Sequence, residues 1–446
     1  MKQRLFGTDG VRGVAGQPPL TPELTLRLGH AIGHVLSRGR PGAVVVVRDT
    51  RVSGPVLESA LTAGLLAAGI NVYSGGVLPT PAVARLVLHK RCLGGVVISA
   101  SHNVFSDNGI KVFGGDGYKL DDEGERAIEA HTGVEMPPFG PTSPGRIYPL
   151  HNAEEIYTDA LLESLADQAP LSGLHVVMDL AHGAAFSVGP RVFKAAGALV
   201  NHIGDRPDGM NINRQVGALH PQHLGDQVRL LGAHMGVALD GDADRCVLVD
   251  EKGQVVDGDA ILGLWALALH RKGRLPGARV VATTMSNLGL EVWLASQGIG
   301  LLRTDVGDRF VVEALRREQL VLGGEQSGHM IHLGFTTTGD GLLTALQLAS
   351  LVVASGLPLS EMVGVIPRYP QVLHNVRIQH RRPLENLPRV QEAIQTAHRR
   401  LGDKGRVVVR FSGTEPIARV MIEGPNQQEI ERLALSIGDH ILEELG

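Results

Sequence analysis

One pattern recurs three times along the chain and limits its fold more than any other feature. Each copy has a β-branched strand, a helix, a short break of small residues and a second strand, with the breaks at residues 67–70, 195–198 and 296–299. Two strands joined through a crossover helix usually pair in parallel. The pattern therefore predicts three related α/β domains with mixed, mostly parallel sheets, although unrelated strand–helix arrays would give a similar pattern.

The remaining chain is predicted as a C-terminal α+β domain, because 446 residues exceed what one hydrophobic core supports. Proline- and glycine-rich stretches and breaks in periodicity set the expected domain boundaries at 1–150, 151–254, 255–369 and 370–446. The repeated units are predicted as strand 43–47, helix 51–68 and strand 71–73; strand 175–178, helix 184–196 and strand 199–203; strand 279–283, helix 287–296 and strand 300–302. Outside them we predict helices 22–36, 387–401 and 428–445 and strands 374–378 and 406–411.

Composition excludes several classes of protein. The net charge of −4 and the pI near 6.6 give no overall attraction for nucleic acid. No apolar run approaches the ~18 residues of a membrane span. Cys92 and Cys246 stand alone in apolar runs, so neither a disulfide framework nor a zinc site is implied. We therefore expect a cytoplasmic protein that binds a small molecule rather than nucleic acid or a membrane.

The first candidate site is an apolar run that ends in a polar loop, residues 95–111, with Ser101 at its centre. The apolar part favours a buried strand, so the serine is expected where open α/β sheets bind ligands. The sequence does not favour a hydrolase nucleophile, because Ser99 and Asn103 occupy the glycine positions of a Gly-x-Ser-x-Gly elbow. A polar loop that caps a helix remains the alternative.

The second candidate site holds three carboxylates at two-residue spacing, Asp240, Asp242 and Asp244. Oxygen ligands so close together favour a hard divalent cation, Mg²⁺ first, with Ca²⁺ or Mn²⁺ as alternatives. An EF-hand fits poorly, because Arg245 replaces the expected glycine and strands flank the loop; a solvated acidic turn remains open. A phosphate on Ser101 would supply a further ligand, and Lys111, Arg245 or Arg12 would balance its charge.

Four further loops carry groups suited to a sugar phosphate. Residues 6–13 combine glycines with Arg12 and predict an anion site or an ordinary turn. Residues 323–329 place a carboxylate and a hydroxyl where they could contact adjacent sugar groups, and include a histidine that could move a proton. Residues 410–416 read as a phosphate clamp or a capped turn. Candidate ligand contacts in these loops and in 304–310 are Asp308, Arg309, Glu325, Ser327, His329, Arg410, Ser412, Gly413, Thr414 and Arg419.

Taken together, these motifs resemble the α-D-phosphohexomutase family over essentially the whole chain. The resemblance depends on five motifs in family order, at residues 6–13, 99–103, 240–245, 324–329 and 412–416. It implies four domains around a central cleft, with Ser101 carrying the phosphoryl group and the three aspartates and the phosphoserine holding one Mg²⁺. Two positions depart from the family pattern, Val104 in place of proline and Phe411 in place of lysine or proline. The second could weaken the phosphate clamp.

The resemblance also implies a reaction. Phosphorylated Ser101 would exchange its phosphoryl group with glucosamine 1-phosphate and glucosamine 6-phosphate through glucosamine 1,6-bisphosphate, which serves as intermediate and activator, and so supply amino-sugar nucleotide and cell-wall synthesis. Ser101, Lys111, His329 and Arg12 would be catalytic, and the C-terminal clamp, with His102 and the loops at 304–310 and 323–329, would bind the substrate. Gln326 favours the amino sugar. Phosphoglucomutase or phosphomannomutase activity and a non-catalytic sugar-phosphate sensor are the alternatives, and a homodimer is a candidate assembly.

Overall fold

The computed structural model describes residues 4–7, 9–134, 136, 143–166, 170–412 and 416–446. The chain forms two compact units. The first contains Met1–Thr283 and Leu302–Gly364, and the second contains Thr284–Leu301 and Val365–Gly446. Among the helices in the described part of the chain, none has the length and apolar composition needed to cross a bilayer.

The first sheet, sheet 1, has the strand order β1-β5-β4-β2-β3-β6. Strands β2, β3, β4 and β6 run parallel, whereas β5 is antiparallel to both β1 and β4. The valines of β2 are fully buried, as expected for a strand covered on both faces. The elements of this region are β1 (Val11–Val14), α1 (Pro22–Ser37), β2 (Ala43–Arg48), α2 (Gly54–Ala67), β3 (Asn71–Val77), α3 (Thr80–Lys90), β4 (Gly94–Ile98), β5 (Asp107–Gly114), α4 (Asp122–Thr132) and β6 (Ile147–Pro149).

Helices α1 and α2 pack closely because glycines face each other at their contact. A Cβ atom on Gly29 would lie 2.1 Å from the carbonyl oxygen of Leu61, and one on Gly64 would lie 2.0 Å from that of Leu26. Any side chain at either position would force the helices apart. The pair therefore forms one rigid layer over sheet 1.

Sheet 2 has the order β11-β10-β9-β7-β8, and sheet 3 has the order β13-β12-β14-β15. Strand β7 is parallel to β8 and β9, and β12 is parallel to β14. Antiparallel pairs, β9 with β10 and β10 with β11 in sheet 2 and β14 with β15 in sheet 3, complete one end of each sheet. The elements are α5 (Ala153–Glu163), β7 (His175–Asp179), α6 (Val188–Ala195), β8 (Leu199–Ile203), α7 (Gln222–Leu231), β9 (Met235–Leu239), β10 (Cys246–Asp250), β11 (Val255–Val256), α8 (Gly258–Arg271), β12 (Arg279–Thr283), α9 (Leu288–Ser296), β13 (Gly300–Thr304), α10 (Asp308–Arg317), β14 (Leu322–Gly324), β15 (Met330–His332), α11 (Gly341–Ser355) and α12 (Leu359–Val363).

The second unit contains α9 and a small antiparallel sheet, sheet 4, with the order β16-β18-β17. Two amphipathic helices supply the apolar side chains that form a core with this sheet. The elements are β16 (Gln371–Arg377), α13 (Pro388–Leu401), β17 (Arg406–Phe411), β18 (Ile417–Glu423) and α14 (Gln427–Leu445). This arrangement confirms the predicted α+β tail.

The three predicted strand–helix–strand units are present, which confirms the α/β class with mixed sheets. Two predicted helices begin too early. Helix α2 begins at Gly54 because Arg51 lies in a turn, with its carbonyl bonded to the N–H of Gly54 at 2.9 Å. Helix α6 begins at Val188 because the preceding residues form a turn of their own. The predicted linker at 136–145 lies mostly outside the described residues.

A buried carboxyl group, that of Asp340, joins helices α5 and α11. Its Oδ1 caps α11 by accepting the N–H of Leu343 at 2.9 Å, and the hydroxyl of Tyr157 donates to both of its oxygens at 2.9 and 3.0 Å. Burial raises the pKa of Asp340 to about 6. Because the folded protein keeps this proton up to a higher pH than the unfolded chain does, stability falls as the pH rises between the two pKa values.

We predict that Asp340→Asn will change the pH dependence of stability. The amide keeps an oxygen for the cap and for Tyr157 but cannot titrate. The wild type should lose about 3 kcal/mol of unfolding free energy relative to the variant between about pH 4 and pH 7. Urea unfolding at both pH values measures this, and a difference that does not vary with pH would contradict it.

Candidate active site

Ser101 lies at the carboxyl end of the buried strand β4, as the sequence predicted. Its side chain is almost completely buried, and its Oγ donates to Asp240 Oδ2 at 2.6 Å. The Nδ1 atom of His102 lies 3.3 Å from the same Oγ. Burial lowers the pKa of His102 to about 4, with further lowering by Arg245 and Arg12, so this imidazole is neutral beside the serine.

Asp240, Asp242 and Asp244 occupy the turn between β9 and β10. They can each offer one oxygen within a group whose members lie within 4.8 Å of one another, and all three are buried. Among the described residues, Asp242 Oδ1 and Asp244 Oδ1 have no hydrogen-bond partner. Burial, together with the charges of Asp244 and Asp242, holds the pKa of Asp240 well above its usual range. Buried oxygens without partners in a cluster of carboxylates fit a hard divalent cation.

Lys111 supplies positive charge from β5. Its Nζ lies 2.8 Å from Asp242 Oδ2, 3.2 Å from Asp244 Oδ2 and 3.4 Å from Asp9 Oδ2. Burial by itself lowers the pKa of Lys111, but Asp242, Asp9 and Asp244 outweigh that effect and hold the pKa well above its usual value. Thr80, at the start of α3, donates through its Oγ1 to Asp242 Oδ2 at 2.6 Å. The free Asp242 oxygen is thereby left as the one available to a cation.

His329 lies between two carboxylates. Its Nδ1 is 3.6 Å from Asp244 Oδ1, and its Nε2 is 3.7 Å from Asp308 Oδ2. Burial lowers the pKa of His329, but the negative charges of Asp244 and Asp308 outweigh that effect, so the net shift of the pKa is upward. Asp308 also contacts the ammonium group of Lys119, which lies 2.7 Å from Asp9 Oδ1. The histidine therefore lies in a chain of alternating charges that continues to residue 9.

Several side chains that were predicted to contact the ligand form hydrogen bonds or ion pairs with other residues of the chain. Arg12 donates to the carbonyl of Ala100 at 2.8 Å and contacts Asp9. Arg309 contacts Asp122 on α4 at 2.8 Å. In the turn between β14 and β15, Glu325 accepts the N–H of Gly307 at 3.2 Å, Ser327 is exposed, and Gln326 donates to Asp259 Oδ2 at 3.1 Å. Lys111, His329 and Asp308 are thus gathered with Ser101 and the three aspartates, while Arg309 is directed toward α4.

The predicted phosphate clamp belongs to the second unit. Arg410 on β17 and Arg419 on β18 are directly opposite each other, and desolvation followed by the charge of Arg419 lowers the pKa of Arg410. Ser412 is buried, and its N–H donates to the carbonyl of Ile417 at 2.9 Å. Gly413 and Thr414 lie outside the described residues.

Several groups around the serine and the aspartates were not predicted from the sequence, namely Asp9, Arg51, Thr80, Lys119 and Asn213. Arg51 was detectable, because it follows directly after the β-branched strand β2, whose carboxyl end lies at the same edge of sheet 1 as that of β4. Thr80 likewise follows β3. No strand end in the sequence marks Lys119 or Asn213, which lie in irregular segments between the helices and strands.

A buried serine hydrogen-bonded to a cluster of carboxylates suited to a cation, with a buried lysine and histidine beside it, defines a site for phosphoryl transfer. The comparisons agree with this class. Four family models for phosphoglucomutase/phosphomannomutase match in order: alpha/beta/alpha domain I at residues 3–136, alpha/beta/alpha domain II at 155–253, alpha/beta/alpha domain III at 257–369 and the C-terminal domain at 373–440. The chain belongs to the phosphoglucomutase/phosphomannomutase family.

Its relatives are similar over nearly their whole length. A phosphoglucosamine mutase of Sorangium cellulosum (strain So ce56) is 49% identical over 98% of this chain and 92% of its own. A phosphoglucosamine mutase of Syntrophotalea carbinolica is 45% identical over 100% of this chain and 99% of its own. The crystal structure of a phosphoglucomutase/phosphomannomutase family protein from Burkholderia thailandensis has a TM-score of 0.83 at 24% identity, covering 99% of this chain and 98% of that one.

We predict that a divalent cation will stabilise the folded protein through the three aspartates. Mg²⁺ added to metal-stripped protein at ~100-fold above its dissociation constant should add about 2.7 kcal/mol of stability. Asp242→Asn should abolish most of that gain. Asp250→Asn is the matched control, since Asp250 is a buried aspartate on β10 whose Oδ1 accepts backbone N–H groups at 2.8 and 2.9 Å. Thermal unfolding with and without Mg²⁺ measures the gain, and an equal gain in both variants would refute this site.

Proposed function

We propose that this protein interconverts glucosamine 6-phosphate and glucosamine 1-phosphate. The observation that carries the proposal is the hydrogen bond of 2.6 Å between Ser101 Oγ and Asp240, inside a buried cluster of carboxylates. The sugar is inferred from relatives named phosphoglucosamine mutase that are 45% and 49% identical over nearly the whole chain. We also propose the domain boundaries 1–150, 151–254, 255–369 and 370–446, which the ranges of the four family models support.

The reaction proceeds in two phosphoryl transfers. Phosphorylated Ser101 transfers its phosphoryl group to O6 of glucosamine 1-phosphate, which forms glucosamine 1,6-bisphosphate and leaves the serine hydroxyl free. The bisphosphate then turns over, and its 1-phosphoryl group passes to Ser101, which leaves glucosamine 6-phosphate. The physiological direction is the reverse. Asp240, Asp242 and Asp244, together with a phosphoryl oxygen on Ser101, would hold one Mg²⁺, which would offset the negative charge of the transferring group.

Proton transfer is assigned to Lys111 and His329. Each transfer converts one hydroxyl to a phosphate ester and another ester to a hydroxyl, so a proton must leave the first oxygen and reach the second. Three carboxylates hold the pKa of Lys111 high and so keep its ammonium group charged, which suits it to donate a hydrogen bond to the oxygen that gains or loses the proton. His329 lies between Asp244 and Asp308 and is suited to accept and return one. Arg12 and His102 border the serine and complete the site.

The second unit is proposed to hold the phosphate that is not reacting. Arg410 and Arg419 face each other across neighbouring strands, a placement that would let both guanidinium groups contact one phosphate. Ser412, Gly413 and Thr414 would add hydroxyl and N–H donors. Glu325, Ser327, Asp308, Arg309 and His102 are the proposed contacts to the sugar.

A cytoplasmic location is part of the proposal, and the two buried, unpaired cysteines support it. A homodimer stays a prediction. Among the alternative functions, a sugar-phosphate sensor is disfavoured, because the serine and all three aspartates that phosphoryl transfer requires are present and close together.

We predict that Ser101→Ala will abolish mutase activity, with a loss of at least ~10³-fold, because the phosphoryl carrier is removed. Intact mass should show one added phosphate on the wild type after treatment with a sugar 1,6-bisphosphate and none on the variant. Ser106→Ala, in the same loop but exposed, should behave as the wild type does. Near-normal turnover by Ser101→Ala would exclude the mechanism.

We further predict that glucosamine 1-phosphate will be preferred over glucose 1-phosphate and mannose 1-phosphate. Sites that hydrogen-bond a substrate group discriminate against analogues that lack it, so kcat/KM should be higher by at least ~10-fold for the amino sugar. Coupled assays with all three sugars under identical conditions compare the values. A higher kcat/KM for glucose or mannose would assign the chain to phosphoglucomutase or phosphomannomutase activity instead.

A further inference from the structure

The peptide group of Ser101 is held in a strained conformation by two side chains from different parts of the chain. Ser101 has a φ of +52°, in the left-handed region that residues other than glycine rarely adopt. Its carbonyl oxygen accepts hydrogen bonds from Arg51 Nη2 at 3.0 Å and from Asn213 Nδ2 at 2.8 Å. The same two donors also bind the carbonyl of Asn103, at 2.9 and 3.0 Å. Each donor therefore bridges the carbonyls of Ser101 and Asn103 in the polar loop that follows β4, which is called the serine loop below.

Arg51 is fixed before it reaches the serine loop. It is fully buried, and its Nε donates to Asp49 Oδ2 at 2.8 Å. Asp49 also accepts the hydroxyl of Ser99 at 2.6 Å, and that hydroxyl accepts the N–H of Ser101 at 2.9 Å. The remaining N–H groups of Arg51 bind the carbonyls of Val104 and Asp107. One connected network thus holds both the N–H and the C=O of Ser101.

Asn213 reaches the serine from the region of sheet 2, in the segment between β8 and α7. Its own N–H donates to the carbonyl of Ala181 at 2.9 Å, which fixes its backbone. Gly241, between the first two aspartates of the cation site, allows the contact. A Cβ atom there would lie 2.6 Å from the carbonyl oxygen of Ser101 and 2.7 Å from Asn213 Nδ2. The serine loop, the aspartate loop and Asn213 therefore meet at a single carbonyl.

We propose that Arg51 and Asn213 are positioning residues for the phosphoryl-carrying serine. By holding the peptide of Ser101 in the left-handed conformation, they direct Oγ toward Asp240 and fix it for attack on either phosphate of the bisphosphate. Arg51 is buried and binds the carbonyl oxygen of Ser101, whereas the Oγ of Ser101 donates to Asp240, so Arg51 acts through the backbone. The kinetic consequence rests on the proposed phosphoserine mechanism, whereas the effect on Ser101 geometry does not.

Three variants separate positioning from general loss of structure. Asn213→Ala removes one donor from a half-buried side chain and leaves no charge unpaired. Arg51→Lys keeps a cation beside Asp49 but cannot bridge several carbonyls at once. Asn211→Ala is the matched control, because its side chain bonds only within its own loop, to the carbonyl of Arg206 at 2.9 Å and the N–H of Asp208 at 3.0 Å.

Kinetics on these variants give the first readout. Each protein is phosphorylated with glucose 1,6-bisphosphate, and intact-mass spectrometry measures how much phosphate it has taken up. Each protein is then assayed with its preferred hexose phosphate. Since displacement of a reacting group by about 1 Å costs ~10²-fold, kcat should fall about 10- to 100-fold in Asn213→Ala and Arg51→Lys, with KM changed less than ~3-fold. Asn211→Ala should keep kcat within ~2-fold of wild type. A purely structural contribution would lower the unfolding temperature and leave kcat per folded molecule unchanged, which would overturn the proposal.

Crystal structures give a readout that does not depend on turnover. In Asn213→Ala and Arg51→Lys we expect Ser101 to leave the positive φ region or its Oγ to move out of hydrogen-bond range of Asp240 Oδ2. Unchanged Ser101 geometry in both variants would refute the positioning proposal. Failure of the wild type to take up phosphate would instead refute the proposed function, and the crystal structures would still decide whether the two side chains hold the serine.

Discussion

Buried negative charge is the constraint that the site depends on. Asp240, Asp242 and Asp244 lie within reach of one ion and almost out of contact with water, a situation that is strongly unfavourable unless positive charge compensates it. Lys111 compensates Asp242 and Asp244, but the pKa of Asp240 remains raised. A divalent cation would supply the missing positive charge, and the carboxylate oxygens that have no partner among the described residues mark where it would bind.

The same constraint explains why the site is assembled where several sheets meet. Each element supplies few groups, the serine at the end of β4, the lysine within β5, and the aspartates and the histidine from hairpin turns. Their backbones approach so closely that side chains are excluded at the contacts. A Cβ atom on Gly328 would lie 2.2 Å from the carbonyl oxygen of Cys246, and one on Gly341 would lie 2.4 Å from that of Arg245. Glycine at these two positions therefore permits the close approach of the backbones that assemble the site.

The sequence predicted those parts of the structure that local patterns determine. The buried strand before Ser101, the carboxylate turn and the crossover units follow from periodicity and turn chemistry, and all three are present. Strand β18 was not predicted because it begins directly after the clamp motif and carries Arg419, which was expected to belong to the clamp loop. Lys119 and Asn213 were missed for a different reason. The partners of their side chains lie at least 110 residues away in sequence, and no local pattern records such a contact.

The residues of the site indicate phosphoryl transfer more directly than they indicate which sugar is bound. The proposed reaction explains this difference. In the proposed mechanism a single fixed serine exchanges its phosphoryl group with two different oxygens of one bisphosphate, so the sugar would have to bind in two orientations. A side chain that bonds the 2-amino group in one orientation meets another part of the ring in the other. The side-chain amide of Gln326 also donates a hydrogen bond to Asp259 Oδ2. Selection for the amino sugar must therefore come from groups that both orientations share, while the groups around Ser101 remain specific for the phosphoryl group alone.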